Sequence, residues 1–338
     1  TPAAVRRRSR RHPRSALVGV LLLVAIVALA GVALMLGDIR VSPSEVVAVL
    51  TGHDDGPMRM VLLDWRAPRV CAAVLFGAAL GVGGAVFQGI TGNPLGSPDV
   101  IGLTTGSFTG VVTVLWVGGT GAAAISGGAL AGGLLTAAGI YLLAARGGVS
   151  GFRFIIVGIA VNAFLTSINT WFATKVDVDL AMEAAVWGAG TLALVDWSAL
   201  RLAAAVLAGV ALLVLPAQRT LRQLELGDDL AAGLGIRVER ARLGLLTLGV
   251  VCVVLVSASA GPISFVALAA PHLARRLAGR GAPLSLPLAG LMGALLLLAA
   301  DVVAQHAVPN VILPVGAVTV TIGGLYLVWL LAIEARRR

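Results

Sequence analysis

Residues 77–106 have the sequence GAALGVGGAVFQGITGNPLGSPDVIGLTTG, and this stretch decides the architecture of the chain. It begins as an apolar segment with Gly77 and Gly81 at GxxxG spacing, which lets helix backbones approach closely. Two prolines and several glycines then interrupt the segment before a second apolar run begins. At the start of that run, Ser97 or Asp99 can cap a helix, and an acid there favours the positive helix end. The stretch therefore predicts two apolar helices joined by a defined break.

The composition of the whole chain agrees with this pattern. Of the 338 residues, 58% are hydrophobic and 12% are charged, and the mean hydropathy is +0.98. A soluble globular chain has roughly 45–50% apolar residues and about 25% charged ones. The chain is therefore expected to be a polytopic membrane protein rather than a water-soluble domain. Because the apolar runs are continuous rather than alternating, the predicted fold class is all-α and not a strand-built barrel.

Ten apolar runs approach the length of a transmembrane helix, which needs about 20 residues. They lie near residues 16–36, 70–90, 99–118, 122–145, 153–172, 198–217, 244–261, 263–277, 287–306 and 314–333. Residues 16–338 are predicted to form a single transmembrane domain, which follows a basic tail at residues 1–15. The connection 218–243 contains helix-forming pieces separated by Gly235, so we expect two short helices at the membrane surface there.

The basic residues are distributed unevenly between the two sides of this layout. With the N-terminus inside, nineteen of the 25 lysines and arginines fall in inner segments and six in outer ones. Cytoplasmic segments of membrane proteins carry such an excess. The asymmetry predicts a multi-pass protein of the cytoplasmic (inner) membrane with both termini cytoplasmic. It accounts for the net charge of +9 without a nucleic-acid partner, and the expected surroundings are membrane lipid.

The chain offers few groups that could carry out catalysis. None of its four histidines has metal-ligand spacing to another, and neither HExxH nor GxSxG occurs. The phosphate loop GxxxxGK[ST] needs a lysine, and the single lysine, Lys175, is placed outside. We therefore expect no metal site, no bound cofactor and no enzymatic activity in this chain. If ATP drives transport, another chain hydrolyses it.

A few polar residues lie inside the predicted spans, where they usually face the interior of a bundle. Gln88, Asn162 and Asn169 are candidates for the wall of a translocation path. Asp301 is expected to form a hydrogen bond between helices near the end of a span. A proton-coupled carrier would place more than one acid at mid-membrane, and only Asp301 qualifies. An ion-coupled secondary transporter is therefore the alternative rather than the preferred hypothesis.

Six ordered segments resemble the permease family of type II ABC importers for iron-siderophores, haem and cobalamin, the FecCD type. These segments are RAPR (66–69), GAALGVGGAVFQGITGNPLGSPDVIGLTTG (77–106), LELGDDLAAGLGIRVERAR (224–242), AGPISFVALAAPHLARRLAG (260–279), GALLLLAADVVAQ (293–305) and LPVGAVTVTIGG (313–324). Because all six occur in family order and at family spacing, the resemblance is specific. It extends from Arg66 to the C-terminus.

The resemblance implies an assembly and a transport reaction. The family has ten transmembrane helices per subunit, two permease subunits around a central path, and two ATPase subunits that bind ATP and Mg on the inner face. An extracytoplasmic binding protein delivers the substrate, and transport proceeds by alternating access. The expected cargo is a ferric siderophore, with cobalamin or haem as the alternative.

The resemblance also implies roles for individual residues. The inner segment 218–243 would be the coupling region that docks on the ATPase, and the residues on its motif are Asp228, Asp229, Ala231, Leu234 and Gly235. Arg66 and Arg69 match outward-facing arginines that meet acidic residues of the binding protein. Such interface charges steer docking more than they add affinity.

Three departures from the family pattern suggest that the second permease is a paralogue rather than an identical copy. Gln305 stands where the family usually has an arginine, Ile312 replaces an acid, and Gly323 begins a Gly-Gly-Leu sequence in place of Gly-Ala-Pro. The stretch VDLAMEAAVWGAGTL (178–192) also resembles the second subunit of siderophore systems with two distinct permeases. We therefore expect a heterodimer.

Overall fold

The computed structural model describes residues 12–37, 39–53, 56–144, 151–279, 281–309 and 311–335. Within these ranges, α1 to α15 are His12–Met35, Pro43–Leu50, Pro57–Arg59, Ala67–Thr91, Pro98–Ile101, Leu103–Trp116, Ala122–Ala144, Gly151–Lys175, Val178–Gly188, Trp197–Leu224, Asp228–Gly233, Val238–Ala260, Val266–Ala278, Leu286–His306 and Val315–Ala335. A π-helix, Met60–Arg66, joins α3 to α4. The expected all-α class is confirmed. Residues 1–11 of the expected basic tail lie outside the described residues.

Every apolar run identified in the sequence overlaps at least one helix. Seven helical stretches in the described ranges are long and apolar enough to cross a membrane: Arg14–Met35, Pro57–Thr91, Ala122–Ala144, Arg153–Lys175, Trp197–Leu224, Val238–Ala260 and Leu286–His306. Leu103–Trp116 and Val315–Tyr326 are shorter apolar stretches. The 13-residue helix α13 is also shorter than a full span. The chain is therefore a helical membrane protein, and the number of ten membrane crossings stays a prediction.

Two of the expected spans differ from continuous helices. The run at 99–118 is divided into α5 and α6 at Gly102, whose φ of 93° is accessible to glycine because it has no Cβ. The run at 263–277 becomes helical only at Val266, because the backbone of Gly261–Phe265 is irregular. Pro262 within this segment cannot donate a helical hydrogen bond. Both breaks lie next to the site described below.

Helix α4 forms the centre of the bundle and packs most extensively against α14, with α12 and α13 on other sides. Its glycines make this packing possible. A Cβ on Gly77 would overlap the backbone of Gly293, and one on Gly84 would overlap the carbonyl of Ala267. The close approach expected from the GxxxG spacing is thus observed, and it extends from α14 to α13.

The connection between α10 and α12 differs from the expectation of two short surface helices. Helix α10 continues to Leu224 and α12 already begins at Val238, so only α11 is a separate short helix. Gly227 and Gly235 flank α11 with φ angles of 99° and 83°. These glycines allow the chain to turn sharply at both ends of α11, which holds the short helix between two long ones.

Candidate functional site

A cleft of about 500 Å³ opens between α6, α8, the end of α9 and the irregular segment that precedes α13. We call it the outer cleft, because α9 belongs to the connection that the charge distribution places outside. It is lined by Thr104, Thr105, Phe108, Thr166, Asn169, Thr170, Ala173, Gly188, Pro262 and Ser264. The lining is rich in hydroxyl and amide groups and contains no ionised side chain. Such a wall offers many weak hydrogen bonds and no fixed charge.

Asn162 and Asn169 have different places in this region. Asn162 accepts a hydrogen bond from Thr105 Oγ1 at 2.6 Å and donates one to the Val100 carbonyl at 3.4 Å. It thereby holds the break at Gly102, where an added Cβ would come within 2.9 Å of the Asn162 Cβ. Asn169 lines the outer cleft, and its Oδ1 is buried without a hydrogen-bond partner in the described structure. This acceptor lies beside the cleft, which is roomy enough to hold water.

Gln88 lies elsewhere, in a second cavity of about 400 Å³ that we call the inner vestibule. The vestibule is lined by Gln88, Gly89, Ile90, Thr91, Gly92, Pro94, Gly151, Leu224, Glu225, Gly227, Arg275 and Leu284. Gln88 Nε2 donates to the Leu268 carbonyl at 3.0 Å. The structure therefore does not bring the three candidate path residues together. Asn169 lines the outer cleft, Gln88 lines the inner vestibule, and Asn162 is among the lining residues of neither cavity.

Glu225 links the inner vestibule to the segment that contains α11. Although much of Glu225 is accessible to solvent, partial desolvation in the vestibule wall raises its carboxyl pKa. The charges of Arg275 and Arg222 oppose that rise. Glu225 therefore sits among arginines at the inner mouth of the bundle, directly before the expected coupling motif.

The expected coupling residues divide into those that anchor α11 and those that face outward. Ala231 is fully buried, and Asp228 forms an ion pair with Arg242 of α12, with oxygen–nitrogen distances of 2.9 and 3.2 Å. Asp229 and Gly235, by contrast, are exposed. The anchors fix α11 to the bundle, so the outward side is presented in a defined orientation.

That outward side carries an apolar feature that the sequence analysis missed. Leu226, Leu230 and Leu234 are exposed by 55%, 63% and 63%. Leu230 lies on α11, Leu226 precedes Gly227 at its start, and Leu234 follows its last residue. We call these three side chains the leucine row. Only Leu234 was identified from the sequence. The recurrence of leucine every four residues from 226 to 234 is the signal that could have revealed the other two.

Arg69 and Asp301 form a largely buried ion pair. Arg69 Nε lies 3.1 Å from both carboxylate oxygens, and Nη2 lies 2.9 Å from Oδ1. The side chains are only 12% and 1% exposed. Gln305 Nε2 donates to Asp301 Oδ2 at 2.8 Å. The expected hydrogen bond of Asp301 between helices is thus confirmed, with Arg69 as its partner.

Arg66 also has partners within its own chain. Its guanidinium donates to the carbonyls of Leu34 at 2.8 Å and Ile39 at 2.6 Å, where α1 ends. The contacts of Arg66 and Arg69 explain how the end of α1, the start of α4 and the end of α14 are held together. They do not test the expected docking role of either arginine.

Comparison with known proteins gives matches over nearly the whole chain. A family model described as the FecCD transport family matches residues 21–332. The ferric enterobactin transport system permease protein FepG of Escherichia coli (strain K12) is 45% identical over 330 residues, which are 96% of this chain and 98% of that protein. The iron(3+)-hydroxamate import system permease protein FhuG of Bacillus subtilis (strain 168) is 34% identical over 308 residues, which are 89% and 92% of the two chains.

A solved structure gives a match at the level of the fold. It is described as an inward-facing conformation of a metal-chelate type ABC transporter, and it superimposes with a TM-score of 0.81 at 25% sequence identity. The match covers 94% of this chain and 99% of that one. The helix order described above therefore matches that fold over nearly the whole length of the solved chain.

Proposed function

Because the chain belongs to the FecCD transport family, we propose that it is the permease subunit of an ABC importer that moves a ferric siderophore across the cytoplasmic membrane. The observation that carries this proposal is the end-to-end similarity, at 45% identity, to a ferric enterobactin permease. In this proposal the chain catalyses no bond cleavage. Partner ATPase subunits hydrolyse ATP, and both termini lie in the cytoplasm.

The outer cleft is proposed as part of the translocation path. Helix α8 supports this because it exposes Thr166, Ser167 and Thr170, whose hydroxyls donate only to carbonyls of their own helix at 2.8–3.0 Å. Polar groups on a membrane-length helix usually face water, a cavity or another helix rather than lipid. We infer that a second permease subunit, expected to be a paralogue, packs along this face and closes the path.

The uncharged wall of the outer cleft suits a bulky polar cargo that must not be held tightly. Hydroxyl and amide groups can exchange hydrogen bonds with a chelate as it passes, whereas a fixed charge would bind one charge state strongly. The same wall would accept cobalamin or haem, which therefore stay as alternative cargoes. Two relatives are named as permeases for ferric enterobactin and for iron(3+)-hydroxamate. We therefore favour a ferric siderophore as the cargo of this chain.

The leucine row is proposed as the contact through which ATP hydrolysis reaches this chain. Three exposed leucines in a cytoplasmic connection are unfavourable in water, and burying one leucine contributes about 1.5–3 kcal/mol. An apolar groove on an ATPase subunit would bury them. The ion pair of Asp228 with Arg242 and the burial of Ala231 would then transmit movement of α11 to α12. On the outer face, a binding protein is expected to deliver cargo near Arg66 and Arg69.

The coupling proposal is tested by co-purification of the chain with its ATPase partner. Leu230→Ser should weaken the association about tenfold or more, because it exposes a polar group to the apolar groove. Leu277→Ser is the matched control, since Leu277 is also an exposed leucine near the inner end of a helix but lies outside the row. Equal retention of the ATPase by both variants would show that α11 is not the coupling contact.

A further inference from the structure

The irregular segment Gly261–Phe265 contains an unusual backbone conformation. Phe265 has a φ of 72°, and it is the only non-glycine residue with positive φ in the described ranges. A bulky residue in this region is strained and persists only where its surroundings impose the conformation. One such surrounding is Gly323 of α15, where any Cβ would overlap the Phe265 ring. The strain therefore lies at the start of α13, where the helix meets α15.

Asp99, from the break between α4 and α6, holds this strained turn from the other side. Its Oδ2 accepts the backbone N–H of Phe265 at 3.4 Å, although the two residues are 166 positions apart. Ser97 Oγ contacts the same Oδ2 at 3.3 Å and accepts the Asp99 N–H at 3.2 Å, which caps α5. Asp99 Oδ1 is buried and has no hydrogen-bond partner in the described structure. Since Ser97 already caps α5, the Asp99 carboxylate is available to α13.

The segment that Asp99 holds lies between the two cavities. Pro262 and Ser264 line the outer cleft. The next residue, Phe265, lines a small cavity together with Pro94, and Pro94 also lines the inner vestibule. Further along α13, the Leu268 carbonyl accepts the hydrogen bond from Gln88 of the vestibule wall. The segment Gly261–Phe265, which leads into α13, thus lies between the outer cleft and the inner vestibule, and we call it the partition.

We propose that Asp99 is a positioning residue for transport, which holds the partition in place by accepting the Phe265 N–H, and that the turn at Phe265 is the hinge on which the partition moves. This inference rests on the proposed transport function. The strained turn at Phe265 has a local conformational cost that a rearrangement of the segment would relieve. Movement of the partition would close the outer cleft to one side and open the vestibule to the other.

The experiment uses the assembled importer in liposomes, with this chain in a cysteine-free background made by Cys71→Ser and Cys252→Ala. A Ser264→Cys reporter is labelled with a water-soluble thiol reagent, first without nucleotide and then after trapping with ATP and vanadate. We expect the labelling rate to change between these states. Asp99→Ala should abolish that change and slow uptake roughly tenfold, the scale of losing one buried hydrogen bond.

Asp99→Asn provides the conservative control, because it keeps an acceptor oxygen at the same position. Asp99→Asn should retain both the labelling change and the uptake rate of wild type. A structural requirement for the ionised acid itself would predict that both are lost. Wild-type behaviour of Asp99→Ala, or equal damage by Asp99→Asn, would overturn the proposal. The labelling requires no cargo, so loss of ferric chelate uptake with intact labelling would reject the cargo assignment alone.

A second measurement decides the question even if Asp99→Ala does not assemble. With Asp99 in place, Ser264→Cys on the outer cleft should react only with reagent added outside, and Thr91→Cys on the inner vestibule only with reagent added inside. Reaction of both cysteines from the same side in the nucleotide-free state would show that the partition does not separate the cavities.

Discussion

Replacing Asp301 by leucine should strongly destabilise the helix pair α4–α14. The change leaves the Arg69 guanidinium, 12% exposed, without the carboxylate that accepts three of its contacts within 3.1 Å. Removing one partner of a buried ion pair typically costs about 3–5 kcal/mol. Because Arg69 retains some access to water, we expect a loss of about 3 kcal/mol in the free energy of unfolding.

The double variant Arg69→Leu/Asp301→Leu gives the sharper comparison. Replacing both members of a buried pair by apolar residues is often close to neutral, so this variant should lie within about 1 kcal/mol of wild type. Gln305→Leu removes only one hydrogen bond to Asp301 and should cost about 1 kcal/mol. The free energies of unfolding can be measured by denaturant titration of the purified protein, with tryptophan fluorescence as the signal.

A loss below about 1 kcal/mol for Asp301→Leu, or a double variant as unstable as the single one, would refute the reasoning about burial. The same variants separate the structural role of Arg69 from its expected docking role. If the double variant is stable, its affinity for the binding protein reports what Arg69 contributes to docking with the helix pair intact.

Two further predictions concern helix packing and helix capping. Gly84→Val should destabilise the protein by at least about 1–3 kcal/mol, because the Ala267 carbonyl occupies the space that the valine side chain needs. Gly127 faces open space, so the control Gly127→Ala should leave the protein equally stable or more stable. Thermal unfolding measures both effects. Asp196 caps α10, and hydrogen bonds from the Ala199 N–H and the Ser198 hydroxyl lower its carboxyl pKa. A lowered folded-state pKa gives stability that is present above the unfolded value and is lost as pH falls through the folded value. The difference in melting temperature between wild type and Asp196→Asn should therefore be constant above about pH 4 and change only at lower pH. A difference that varies between about pH 5 and 8 would contradict the lowered pKa of Asp196.

The positions of the helices were largely predictable because transfer of apolar segments out of water dominates the structure. The run at 122–145 corresponds to α7 at Ala122–Ala144, and the run at 287–306 corresponds to α14 at Leu286–His306. Helix α12 begins earlier than its apolar run, since the polar residues before residue 244 continue the helix beyond the apolar stretch. The amino-acid composition identifies the apolar stretch of a helix, but the helix itself can continue into the polar residues beside that stretch.

The interruptions were harder to predict because they depend on partners that are distant in sequence. The break at Gly102 is fixed by Asn162, and the turn at Phe265 by Asp99. Local spacing indicated a capped helix start at Ser97 or Asp99, and the structure assigns the cap of α5 to Ser97. The second role of Asp99 requires knowledge of which helices are adjacent, which local spacing does not contain.

The sequence indicated individual candidate residues but not their arrangement. Asn169 lies in the outer cleft and the motif residues lie on or beside α11, and their expected roles in the path and in coupling stay predictions. The pairing of Arg69 with Asp301, 232 residues apart, was not predicted, because each residue was considered separately. Leu226 and Leu230 were missed because exposed leucines do not stand out in a chain that is 58% hydrophobic.

Uptake of radiolabelled iron into liposomes tests the central claim most directly. The chain would be reconstituted alone, and also with its ATPase, second permease and binding protein. Ferric enterobactin is the probe, because the 45% identical relative is named as a ferric enterobactin permease. We expect uptake only by the complete assembly with ATP, and none by the chain alone under an ion gradient. Uptake by the chain alone, driven by a proton or sodium gradient without any ATPase, would contradict the account.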